Sequence, residues 1–339
     1  MIFTVSNKES DIKNLLIKLR SDYGDYAFIS YIDGEYGIRV WAYNSLVYEF
    51  YKLMKNENKV CIGIVFKNTK CFLNNLCDHI IEIDDVEFYS NSLNTEYVDN
   101  SGPSFNHINN IVPSNSYTGN DGWDLVYIRG IHSKVYEDIL LEMKFSNIFY
   151  TLHVDGSRYI NLHGCNNGYI YKVNNTNVVI NNINNNVCIN KINLIQNFDK
   201  RNNTNKTNNI VIWARNSNKW PGKNINKDNY ETLFNYCIKN NKKCYVFQDL
   251  IPIDMPNHTN IIDCTKREKN RPDYDNFIKV CSDSDIFIGA DSGPYYLLIH
   301  HSIPIMKMIY GNVQYSDNNT ISNIFDITML INSIQNFYS

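Results

Sequence analysis

Short apolar runs alternate with helix-length amphipathic stretches along this chain, and the alternation restarts in its second half. Residues 25–31 (Asp-Tyr-Ala-Phe-Ile-Ser-Tyr) form an aromatic and β-branched run and read as a strand. A polar, glycine-containing turn follows at 33–37. Residues 40–55 then carry Trp41, Leu46, Tyr48, Phe50 and Leu53 at helical spacing. Residues 60–66 read as a buried strand, 71–76 as a short helix and 79–83 as another strand. Helices separating short apolar strands are the pattern of a parallel sheet covered by helices. Residues 88–122 are rich in Ser, Asn, Gly and Pro and read as a surface excursion; a strand (123–129), a helix (132–144) and a strand (147–153) follow.

The second half uses the same grammar. Strands are expected at 209–214, 243–248, 259–263, 285–289 and 303–309. Helices are expected at 228–240 (capped by Asn226 or Asp228), 274–282 and 295–301, with a closing helix at 321–337. The chain thus divides into an N-terminal domain over 1–190, an Asn-rich linker over 191–205, a C-terminal domain over 206–320, and a closing segment over 321–339 placed to pack back on the first domain. The expected class is α/β, with two Rossmann-like, doubly wound domains facing a central cleft.

Composition narrows the function classes. The 339 residues are 43% apolar and 20% charged, with a net charge of −3. That is a globular balance with no global field for nucleic acid or anionic membrane, and there is no basic stripe. No apolar run approaches the roughly 20 residues of a membrane span, and the first residues do not form a secretory signal. The nine cysteines are scattered singly, with no Cys-x-x-Cys pair. They read as structural thiols of a reducing compartment, the cytoplasm, or a host's cytoplasm if the chain is viral. Asn fills 16 of the 36 positions from 174 to 209, a bias that suggests coding in an AT-rich genome.

Three constellations could carry chemistry. The first is Asp291-Ser-Gly-Pro294, between a strand and a helix. Ligands of open α/β sheets bind beyond the carboxyl ends of strands, and a helix N-terminus offers free N–H groups to a phosphate. Ser292 and Gly293 allow close approach, Pro294 suits a first helical turn, and Asp291 could accept from sugar or ribose hydroxyls. The same residues would equally serve as a helix cap. The second is Arg215-Asn-Ser-Asn-Lys-Trp-Pro221, also after a strand. Its cations Arg215 and Lys219, with Asn216 and Ser217, suit a diphosphate, although a solvated basic loop with Trp220 packed on the sheet edge would look the same. The third is Asp33-Gly-Glu-Tyr-Gly37, after the first of these strands, where Asp33 or Glu35 could act as a base; a turn stabilised by Asp33 is the plainer reading.

The run Ile-Gly-Ala-Asp-Ser-Gly-Pro, an apolar helix, and Pro304 thirteen positions after Asp291 resemble the C-terminal signature of heptosyltransferase-like glycosyltransferases, family 9. The resemblance implies a GT-B fold and a nucleotide-sugar donor, with no further cofactor. It makes Lys219, ahead of Trp220-Pro221, the contact of the leaving phosphates, and Glu35 or Asp33 the base, Glu35 preferred because it follows Gly34. The chain departs from the pattern at Tyr296, where a histidine is common, and at Leu298, Ile299 and His300, where small residues are usual. Gln248 and Asp249, at a strand end, could meet the nucleotide's ribose. Asp283-Ser-Asp285 spells a metal-binding Asp-x-Asp, but it precedes its strand and reads as a turn. Asp84-Asp85 reads as a polar strand end, and His132, His153 and His163 lack ligand spacing.

The expected activity is transfer of a sugar from a nucleotide-sugar to a glycan, lipid-linked or protein acceptor, inverting and metal-independent. A UDP-sugar 2-epimerase shares the Asp-Ser-Gly turn, but the Gly-Gly-x-x-Glu that normally follows it is here Pro294, Tyr295 and Tyr296. A non-catalytic binder of nucleotide-sugar or glycan is the third reading.

Overall fold

The computed structural model describes residues 1–5, 9–24, 26–30, 47, 51–52, 54–83, 97–99, 102–103, 148–150, 167–171, 178–181, 206–216, 221–248, 253–265, 267–268, 271–313 and 316–339. The chain divides into two units, Met1–Ile195 and Gln196–Ser339.

The first unit holds β1 (Ile2–Val5), α1 (Glu9–Tyr23), β2 (Ala27–Ser30), β3 (Cys61–Phe66), β4 (His79–Ile83), a two-stranded pair β5 (Tyr97–Asp99) and β6 (Gly102–Pro103), then β7 (Ile148–Tyr150), β8 (Asn167–Tyr171) and β9 (Val178–Asn181). Its main sheet runs β1-β4-β3-β2-β7-β8-β9. The pairs from β1 to β7 are parallel. The last two, β7–β8 and β8–β9, are antiparallel, so the sheet is mixed at one edge.

Two elements at the start of this unit carry weak sequence signals. β1 is an edge strand with Ile2 half exposed, and α1 buries the stripe Ile12, Leu16, Leu19 among Asp, Lys, Asn and Arg. In place of the helix expected at 71–76 there is one 3-10 turn, Lys70–Phe72. Asn75 takes a left-handed φ of 65°, which a helix cannot absorb. Val47 and Met54, within the helix expected at 40–55, are helical and buried.

The second unit holds β10 (Asn209–Ala214), α2 (Lys227–Lys239), β11 (Lys243–Gln248), β12 (Ile261–Asp263), a short antiparallel pair β13 (Arg267–Glu268) and β14 (Arg271–Pro272), α3 (Tyr274–Ser282), β15 (Ile286–Ala290), α4 (Gly293–His300), β16 (Met306–Tyr310), β17 (Thr320–Ile324) and α5 (Ile327–Tyr338). Its sheet runs β12-β11-β10-β15-β16-β17, and every pairing is parallel. Counted along this unit alone, that is the 3-2-1-4-5-6 order of a doubly wound dinucleotide fold. β10 and β15 are buried almost throughout, as central strands covered on both faces must be.

Helix ends follow side-chain chemistry. Asn226 caps α2 by accepting from the N–H of Asp228, Asp273 caps α3 by accepting from Asn276, and Asp326 caps α5 by accepting from Met329. The closing helix expected from 321 is therefore two elements. Residues 320–324 form β17, Asn323 turns left-handed at φ 63°, and the helix starts after Asp326. Leu330 and Ile334 of α5 enter the core of this same unit, beside Phe234, Val246 and Ile324.

The described cysteines are free, and most are buried. Burial pushes the Cys61 and Cys77 thiols up to about 12 and raises Cys244 and Cys281 well above the ordinary range. These are thiols that pack and do not react.

β16 places Lys307 fully inside the second unit, where its ammonium meets Asp317 at 2.8 Å and the carbonyls of Ile303 and Ile305 at 3.3 and 3.2 Å. Removing Asp317 strands a fully buried ammonium, whereas removing the ammonium leaves a carboxylate that is partly exposed and still accepts from Asn319 and Thr320. Asp317→Ala is expected to destabilise the protein by about 3 kcal/mol, and Lys307→Met by less than half of that. Urea unfolding of the two variants checks the inequality; equal losses would contradict it.

Candidate functional site

The chain leaves β10 outward through β11 and β12 on one side, and returns through β15, β16 and β17 on the other. Strand order therefore reverses between β10 and β15, and connections leaving their carboxyl ends diverge to open a crevice. Ala214 ends β10 and Ala290 ends β15, so the loops beginning at Arg215 and at Asp291 start on either side of that point.

Asp291 and Ser292 form the turn between β15 and α4. Ser292 is the N-cap residue of α4, with extended backbone at φ −156°, yet its side chain makes no cap hydrogen bond. Its hydroxyl donates instead to the carbonyl of Ala290 at 3.2 Å. Pro294 occupies the first turn, where its missing N–H costs nothing. The capping role weighed from sequence is therefore not the one Ser292 plays. Upstream, a Cβ at Gly289 would come within 2.6 Å of the Phe287 ring, so this position of the motif is set by packing.

The Asp291 carboxylate is largely enclosed, with 13% of its side chain exposed. Lys223 donates to Oδ2 at 3.1 Å and to the Asp291 carbonyl at 2.9 Å. Tyr296, from the first turns of α4, donates to Oδ1. Lys223 ends the 3-10 turn Pro221–Lys223, which follows the Lys219-Trp220-Pro221 stretch. Sequence reasoning overlooked Lys223; the signal was a lysine just past the Trp-Pro pair, but its partner lies 68 residues away and depends on the sheet order. Lys219, Ser217 and Trp220 lie outside the described residues, as does Asp249.

Arg215 and Asn216 follow β10 and are partly buried. The Arg215 carbonyl accepts from the Tyr230 hydroxyl at 3.4 Å, which ties the loop to α2. Gln248 ends β11 but is 5% exposed and turned into its own unit. Its amide nitrogen reaches Asp263 at 3.4 Å, and its amide oxygen accepts from the Ile253 N–H at 2.7 Å. That amide ties the end of β11 to Asp263 and Ile253.

Asp285 stands at the opposite end of β15 from Asp291. It accepts from the Thr207 N–H at 3.0 Å, the Asn208 N–H at 2.7 Å and the Tyr338 hydroxyl at 3.2 Å. Its oxygens are engaged by the protein itself, in keeping with the structural reading of Asp283-Ser-Asp285. In the first unit, order reverses between β2 and β7, and the chain leaves β2 at Ser30. Asp33, Glu35, Asp84, Asp85, His132, His153 and His163 lie outside the described residues.

At the far end of α4, His300 is buried. Burial, with His301 beside it, holds its imidazole well below the ordinary histidine range. The unfolded chain takes up a proton near pH 6.5 that the folded chain refuses. Stability is therefore complete above pH 6.5 and falls as pH drops below it, by up to about 1.4 kcal/mol per pH unit for one proton. Urea unfolding between pH 7 and 5 should show this slope, and His300→Phe should flatten it. An unchanged slope in the variant would assign the effect elsewhere.

No protein-family model and no curated protein matches this chain. Among solved structures, the crystal structure of the glycosyl transferase family 9 from Veillonella parvula DSM 2008 is similar over 92% of each chain, at 10% identity and a TM-score of 0.38. That score is too low to establish a shared fold. Among the described residues, no helix is long and apolar enough to cross a membrane.

Proposed function

We propose that this chain is a glycosyltransferase, moving a sugar from a nucleotide-sugar to a hydroxyl of a glycan, lipid-linked or protein acceptor. The observation that carries the reading is the Asp291-Ser292-Gly293 turn at the strand-order reversal of a parallel sheet, opening a helix whose N-cap serine makes no side-chain cap. Such a helix end favours negative charge, and the turn is the one that resembles family 9.

In this reading the donor diphosphate lies at the α4 N-terminus, with Arg215, Lys219, Asn216 and Ser217 around it and Asp249 toward the ribose. Asp291 accepts hydrogen bonds from donor hydroxyls. The acceptor belongs to the N-terminal domain, where Glu35 or Asp33 takes the proton from the attacking hydroxyl as the new glycosidic bond forms. The bond from the anomeric carbon to the diphosphate breaks on the opposite face, which inverts the centre. The departing charge is met by backbone N–H groups and cationic side chains, so the reaction needs neither metal nor further cofactor.

A panel of radiolabelled nucleotide-sugars, each incubated with and without glycan acceptors, tests the reading. Label transferred to acceptor, with release of the nucleoside diphosphate, is the expected result. Epimerised sugar formed without acceptor would make the chain a 2-epimerase. Tight binding with neither transfer nor hydrolysis would make it a non-catalytic binder. A thermal-shift screen selects the donor first, since a ligand held only by the native state at 100 times its Kd adds about 2.7 kcal/mol.

A further inference from the structure

We infer that Lys223 and Tyr296 are positioning residues that fix the Asp291 carboxylate from two sides, an assignment that rests on the reading of Asp291 as a donor contact. The two carboxylate oxygens are held by different elements. Lys223 comes from the 3-10 turn that follows β10 and binds both Oδ2 and the carbonyl of Asp291, at 3.1 and 2.9 Å. A single ammonium on the main chain and side chain of one residue leaves that side chain little rotamer freedom. Tyr296 closes the other side by donating to Oδ1 from within α4.

Three observations favour a positioning role over a plain surface ion pair. Lys223 is 39% exposed, and a pair that open to water contributes little to stability. The contact spans the two loops that leave β10 and β15, the loops that bound the crevice. A third is that Asp291 is held away from a capping role, while each carboxylate oxygen keeps a lone pair for a ligand.

Calorimetry with UDP, GDP and ADP as probes, alongside melting curves, tests the assignment. Tyr296→Phe and Lys223→Met are each expected to weaken the best probe about tenfold while shifting Tm by no more than about 2 °C. Tyr296→His, which keeps a donor, is expected to recover affinity to within about threefold. In an Asp291→Ala background neither substitution should weaken binding further, because both act through that carboxylate. Full affinity in either single variant, or a tenfold loss that persists without Asp291, would overturn the positioning role.

A wild-type protein that binds none of the probes would remove the reading of Asp291 as a donor contact instead. Carboxyl-carbon NMR of protein labelled at aspartate Cγ separates the two failures. The Asp291 resonance, assigned with Asp291→Asn, should move in both single variants with no ligand present, and a resonance that stays in place would sink the clamp by itself.

Discussion

Asp285→Ala is expected to cost about 3 kcal/mol and to lower the melting temperature by roughly 10 °C. Asp285 is 6% exposed, and its two oxygens accept from two consecutive backbone N–H groups and one tyrosine hydroxyl. Alanine removes a charged acceptor and leaves the N–H groups of Thr207 and Asn208 without it. Thr207 and Asn208 are exposed and water can meet their N–H groups, so the loss is that of the charge-assisted hydrogen bonds themselves, about 1.5–3 kcal/mol. Asparagine keeps the shape but turns an NH2 group toward a donor, so Asp285→Asn should recover less than half of the loss.

The Tyr338 hydroxyl is the more expendable partner, because the ring keeps its place under the Lys242 ammonium, 3.2 Å from its centroid. Tyr338→Phe should cost about 1 kcal/mol. Urea unfolding followed by circular dichroism gives the order Ala, Asn, Phe. A loss below 1 kcal/mol for Asp285→Ala would show that 206–208 and α5 are held by something else.

How far the fold could be read from residues depends on burial. β4, β10 and β11 have the bounds their apolar runs announce, because strands inside a parallel sheet are covered on both faces and leave little polar residue to blur their ends. β1 and β17 lie at sheet edges and carry mixed patterns. Residues 321–337 look like one helix because Ile321, Ile324, Phe325 and Ile327 happen to fit helical spacing as well as strand alternation. Only the left-handed Asn323 and the cap at Asp326 separate strand from helix, and neither shows in an apolar pattern.

The site is legible in the same uneven way. The turn at Asp291 is local, a glycine between a strand and a helix, and its place follows from the residues on either side. The partner of Asp291 is not local. Which lysine after β10 reaches it depends on β10 and β15 being neighbours in the sheet, and the described contact belongs to Lys223. Gln248 is a related case. A strand end next to a polar residue says nothing about whether that residue turns outward to a ligand or inward to Asp263 and Ile253.

Asp291→Ala is expected to lower turnover of the nucleotide-sugar by about 10²-fold or more, with the fold intact. At 1.36 kcal/mol per factor of ten, this corresponds to about 2.7 kcal/mol of lost transition-state stabilisation, the order expected for one charged contact at a reacting group. The donor hydroxyls lose their acceptor, and the group that Lys223 and Tyr296 hold in place is gone. Stability should change little, because the carboxylate caps no helix and its cation is 39% exposed. Lys219→Ala is expected to reduce the same turnover by a similar factor if it meets the leaving phosphates, and mostly through kcat, since charge on the leaving group grows as the bond breaks. Initial-rate measurements on both variants, with circular dichroism as the control for folding, decide between outcomes. Full activity in both would remove the transferase reading, and loss in Asp291→Ala alone would keep the donor site while moving the leaving-group contact from Lys219 to another cation of that loop.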